Sequence, residues 1–181
     1  SPEQYDENVA VKGGSERVEF AVKFPGEGDR PVYLPIDSKF PADAYTRLLD
    51  AYDTGDRQLI KAATDGLRNA VLKAAKDIRT KYISPPYTTE FAIMFLPFEG
   101  LYAEVLRLGL VDTLQRDYRI NIAGPTTMAA MLNSFQMGFR SLALQKQSGE
   151  VWDTLAKVRT EFDKFGDVLV KTQTKMEQAQ K

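Results

Sequence analysis

The chain has no cysteine and no histidine among its 181 residues. The first absence excludes disulfides and thiolate-bound zinc, and it fits a reducing compartment such as the cytoplasm. The second excludes more. Ser-His-Asp and Cys-His catalysis, zincin helices and histidine-based nucleases all require an imidazole. Any hydrolysis must therefore run on carboxylates, lysine and a hard cation. No apolar run approaches the roughly 18 residues that a membrane span needs, and no signal peptide is visible, so no membrane contact is expected of this stretch. A starting Met is also lacking, which points to an excised piece of a longer protein. There is no excess of charge: 24 basic and 25 acidic side chains leave a net charge of −1. That gives no global footprint for nucleic acid, so any basic groove must be local. The remaining composition, 43% hydrophobic and 27% charged, is that of a globular domain with a real core.

The most informative stretch is a β-hairpin. Arg17 to Phe24 and Val32 to Lys39 alternate around Pro25-Gly26-Glu27-Gly28-Asp29-Arg30-Pro31, whose glycines and prolines belong in a turn. Symmetry about Gly28 pairs Phe24 with Val32, Val22 with Leu34, Phe20 with Ile36 and Glu19 with Asp37. One face is then wholly apolar, and the other carries Glu19, Asp37 and Lys39. Opposed carboxylates with Cβ atoms about 5 Å apart repel, and a divalent cation with Lys39 beside it would offset the repulsion. The plainer alternative is a cross-strand salt-bridge cluster on an exposed sheet face, worth about 0–1 kcal/mol.

Elsewhere the periodicity predicts a short first strand over Asn8 to Lys12, and a helix opened by Pro41 and ended by Gly55. A long amphipathic helix follows from Arg57 to Lys81, with Ile60, Ala63, Leu67, Val71, Ala74 and Ile78 on one stripe. That helix carries seven basic residues against two acidic ones. Lys61, Arg68, Lys76 and Arg79 are candidate contacts to a phosphate backbone, with a solvated face as the plainer reading. Phe91 to Leu96 reads as a buried strand, Leu101 to Arg107 as a helix and Tyr118 to Ala123 as the last strand. Glu99 suits a helix N-terminus, or a further acid near the cation. Gly124-Pro125-Thr126-Thr127 reads as a turn and cap. Val151, Leu155, Val158, Phe162, Phe165, Leu169, Thr172 and Met176 form a heptad seam suited to self-association. The organisation expected is an α/β domain over residues 1–147 and a heptad helix over 148–181.

Asp37-Ser38-Lys39 is the only D-x-K triplet in the chain. With Glu19 across the hairpin it resembles the PD-(D/E)xK nuclease signature. Arg17 to Gly26, Pro35 to Lys39, Phe91 to Glu104 and Gly124 to Thr127 together resemble the RmuC family, bacterial proteins linked to DNA recombination. The likeness runs from about Glu3 to Ala179. The family usually has Pro-Asp where Val18-Glu19 stands, a conservative change for a metal ligand. The acid that the usual nuclease core carries on a helix before the first strand would lie upstream of Ser1.

The resemblance implies a restriction-endonuclease-like mixed sheet flanked by helices, with a long coiled-coil-like C-terminal extension. It implies a Mg2+- (or Mn2+-) dependent deoxyribonuclease with Glu19, Asp37 and the Ser38 carbonyl as metal ligands and Lys39 serving the attacking water. DNA is the implied partner, and a homo-oligomer through the C-terminal helix is expected. The complete protein would be cytoplasmic, with an N-terminal anchor in the inner membrane. Members of such superfamilies can lose activity, so a silent DNA-binding domain and a coiled-coil interaction module on the same fold stay open.

Overall fold

A computed structural model describes residues 3–11, 16–26, 30–142 and 158–160. Five strands form one mixed sheet in the order β1 (Tyr5–Val9), β2 (Val18–Phe24), β3 (Val32–Ser38), β4 (Ala92–Phe95) and β5 (Ile120–Ala123). β1, β2 and β3 are antiparallel neighbours, whereas β3, β4 and β5 run parallel. The hairpin register is the one its turn dictates, with Phe24 opposite Val32, Val22 opposite Leu34 and Phe20 opposite Ile36. Pro35 is tolerated inside the sheet because the β3–β4 ladder begins one residue beyond it, at Ile36.

The parallel connections need crossovers, and helices supply them. Between β3 and β4 lie α1 (Ala42–Thr54) and α2 (Arg57–Tyr82); between β4 and β5 lie α3 (Glu99–Arg107) and α4 (Val111–Tyr118). α1 ends at Gly55, whose φ of 66° suits glycine. α2 starts where the Asp56 carboxylate accepts the backbone N–H groups of Gln58 and Leu59. A further helix, residues 125–142, follows β5. The chain divides into two compact units, Ser1–Leu132 and Asn133–Lys181. The expected heptad seam falls outside the described residues apart from Val158.

Two expectations need correction. The first strand occupies Tyr5–Val9 rather than Asn8 to Lys12, and α4 has no counterpart in the expected elements. The plainer alternative, a salt-bridge cluster on an exposed sheet face, does not hold at Asp37. Leu67, Val71, Ala75, Ile78 and Tyr82 of α2 join one core with Ala21, Ala92 and Met94. Asp37 pairs with Met94 in register, so it lies on that covered face and is only 2% exposed. Val22, Leu34 and Ile93, on the opposite face, are buried as well.

Candidate functional site

The site forms where β3 runs out. The Lys39 backbone N–H donates to the Phe95 carbonyl at 3.0 Å and continues the β3–β4 ladder. Residues two apart on an extended chain point the same way, and the Lys39 Nζ lies 2.9 Å from Asp37 Oδ2. This is ion-pair distance, and Oδ2 is buried. Burial pulls the Lys39 pKa down, but the close Asp37 carboxyl and the charges of Asp37, Tyr82 and Glu19 outweigh it. The pKa stands above its ordinary value. Lys39 thus stays charged at neutral pH.

Tyr82, the last residue of α2, is buried beside the same carboxyl. Burial first, and then the Asp37 charge, raise its pKa; Glu16 adds to the effect. Sequence pattern passes over Tyr82 because its nearness to Asp37 depends on how α2 docks. A signal was present: it continues the apolar stripe one turn beyond Ile78, with a polar tip on the sheet-facing side.

Glu19 behaves differently from its partner. Continuing the register of Phe20 with Ile36 sets Glu19 opposite Asp37, yet Glu19 is exposed, as is Phe20 after it, while Val18 and Ala21 are buried. In β1 the unbroken register from Glu7 with Phe20 to Val9 with Val18 sets Asn8 opposite Glu19, and Asn8 adopts φ 54°. The Asn8 carbonyl is held at 2.8 Å by Arg17 Nη1. Ser38 is exposed at the strand end and pairs in register with Phe95.

Glu99 is engaged elsewhere. Its carboxylate accepts the Thr126 N–H at 2.6 Å at the start of helix 125–142, and Thr126 holds its pKa below the ordinary value. Thr127 Oγ1 is committed to its own turn, accepting from the Gly124 N–H at 2.7 Å.

The four cations of α2 do not form one set. Lys61 and Lys76 are exposed. Arg68 donates to the Leu108 carbonyl at 2.9 Å, and Arg79 donates to the Asp117 carbonyl, tying α2 to the α3–α4 region.

A hard divalent cation fits the residues at the end of β3 in one respect, the buried Asp37 oxygen. Magnesium commonly takes one or two carboxylates and completes its octahedron with water. Among the described residues, no three acidic side chains gather around one point.

The fold and site define a class: a mixed α/β domain with a polar site at the carboxyl ends of its parallel strands, where open sheets of this kind hold ligands. A model of the RmuC family matches residues 1–181, and the chain belongs to that family. It is 53% identical, over 175 residues, to proteins named DNA recombination protein RmuC homolog from Xylella fastidiosa strains Temecula1 and 9a5c. The match covers 94% of this chain and 38% of each relative, so the chain spans less than half their length. No solved structure matches it. Among the described residues, no helix is long and apolar enough to cross a membrane.

Proposed function

We propose that this chain is the catalytic part of a metal-dependent deoxyribonuclease of PD-(D/E)xK type that processes DNA in recombination. The observation that carries the reading is Asp37 Oδ2, buried and faced by a lysine. A buried carboxylate faced by one ammonium still costs desolvation of both charges, and a cation ligand is the use that would justify it. The relatives' printed name supplies DNA recombination as the setting.

In this reading Asp37, Glu19 and the Ser38 carbonyl hold Mg2+ or Mn2+. The cation, when bound, activates water and stabilises charge on phosphate oxygens. Lys39, held protonated, would orient the attacking water and donate to a phosphate oxygen, and the proton lost by that water would pass to bulk solvent. Lys61, Lys76, Arg68 and Arg79 would contact the phosphate backbone further along, the two arginines through donors their carbonyl bonds leave over. The heptad seam would join copies of the complete chain, and deleting Val151 to Lys181 should lower the mass in solution.

The test is cleavage of linear and branched DNA with and without Mg2+ or Mn2+. Asp37→Ala and Lys39→Ala should each abolish the metal-dependent activity. Equal activity in the double variant would remove the proposal. A silent DNA-binding domain is the second reading, favoured by the lack of a three-acid cluster among the described residues. It predicts salt-sensitive binding without cleavage by the wild type.

A further inference from the structure

We infer that Phe40 and Phe98 form a stacking platform for an unpaired base at the end of a DNA strand entering the site; this rests on reading Asp37 and Lys39 as a DNA-cleaving site. The two rings touch, with centroids 4.9 Å apart and planes tilted by 49°. They are 45% and 51% exposed. Single exposed apolar residues are ordinary on a surface, but two adjoining aromatic rings left half in water are not.

Their position is specific. Phe40 directly follows Lys39. Phe98 lies three residues beyond Phe95, whose carbonyl accepts the Lys39 N–H. Both residues thus stand just past the carboxyl ends of neighbouring parallel strands, the ends that carry Asp37 and Lys39.

The pair is also held firmly. Phe40 precedes α1 and Phe98 caps α3. The Tyr45 hydroxyl of α1 sits against Gly100 of α3 where any Cβ would collide with it. Glycine at 100 is what lets the two helix starts, and hence the two rings, come together.

An occupant suited to aromatic rings at the strand ends that carry Asp37 and Lys39 presents both a flat π face and a phosphate. The rings offer stacking without hydrogen-bond readout, and Lys39 with a divalent cation offers charge complementarity for the phosphate. A nucleotide supplies both. Bases inside a duplex have their faces covered by their neighbours, so the base that fits is unpaired or frayed. Aromatic platforms of this kind accept any base.

The experiment uses the full chain and a short single-stranded DNA carrying 2-aminopurine near one end, compared with the matching blunt duplex in Ca2+. Binding should change 2-aminopurine fluorescence through stacking. The Phe40→Ala/Phe98→Ala variant should bind the single strand about tenfold more weakly, lose the fluorescence change and leave duplex affinity as it was. Phe98→Tyr should keep the ring and the signal. Because both rings are half exposed, the alanine variant should fold, as a melting curve will show.

Unchanged single-strand binding by the double variant overturns the platform. So does a change in mass in solution, which would assign the rings to a protein contact. Cleavage by the wild type with unaltered binding by the double variant sinks the platform and leaves the nuclease reading standing. Stacking by a wild type that never cuts in Mg2+ or Mn2+ does the reverse.

Discussion

At the hairpin end of the sheet, Asp6 of β1 accepts from the Tyr33 hydroxyl at 2.9 Å and meets Lys23 Nζ at 2.7 Å. At the other end of the same face, Asp37 meets Lys39 at 2.9 Å with Tyr82 beside it. Both groups contain an acid, a lysine and a tyrosine, yet their environments differ. The Asp6 side chain is 37% exposed and partnered, whereas the Asp37 side chain is 3% exposed. A partnered, half-wet carboxylate ties three strands together at little cost. A buried carboxylate opposes folding through desolvation. One sheet therefore contains both a latch and a candidate site, and burial separates them better than residue type does.

The largest expected effect breaks the likeness outright. Asp37→Ala should lower metal-dependent DNA cleavage by about a hundredfold or more, the scale of losing a group that stabilises developing charge. Asp6→Ala should leave the cleavage rate of the folded protein unchanged. Equal losses in both variants, measured at a temperature where both are folded, would erase the distinction.

Metal should sharpen it next. A ligand that binds only the folded state at a hundredfold over its Kd adds about 2.7 kcal/mol, or several degrees of Tm for a chain of this size. Mn2+ should raise the Tm of the wild type and of Asp6→Ala alike. It should do nothing for Asp37→Asn, which keeps the shape and removes the charge. Titrating Tm against Mn2+ in the three proteins checks this without any DNA.

The latch should respond in stability alone. Tyr33→Phe removes one hydrogen bond to Asp6 and should cost about 0.5–1.5 kcal/mol in a denaturant melt, with cleavage per folded molecule intact.

These two ends were unequally legible in the sequence. The hairpin register could be read because turn composition and alternation are local, and each pairing from Phe20 with Ile36 to Phe24 with Val32 stands as expected. The caps Gly55 and the buried strand β4 were readable for the same reason. Burial of Asp37 was not, because it depends on which face α2 covers. The face that looked polar also carries Ala21 and Pro35, small or polarity-free residues over which the helix lies. Asn8 was equally hidden. A single left-handed residue beside Glu19 leaves no periodic trace, yet it accompanies an exposed Glu19 beside a buried Asp37. α4 begins after Gly109 without a side-chain cap, so its start had no signal. The latch escaped notice because Asp6 lies on a polar edge strand whose pairing only the fold reveals.

The smallest effect is in pH dependence, where the two groups act at opposite ends of the scale. Lys23, and secondarily Tyr33, hold the Asp6 pKa below its ordinary 3.8. A depressed acid contributes stability that is present above 3.8 and lost as pH falls through the folded value. Asp6→Asn should therefore flatten the acid limb of the stability curve below that pH. Lys39 is the mirror case, with a pKa raised above its ordinary 10.5. Its contribution is present below 10.5 and lost as pH rises through the folded value. Lys39→Met should reduce the alkaline loss. Tyr33, Tyr52 and Tyr82, also raised, keep part of that loss in place. Urea melts across the pH range would decide the matter. If Lys39→Met left the alkaline limb untouched, or Asp6→Asn left the acid limb untouched, the two groups would not be the ion pairs that their geometry describes.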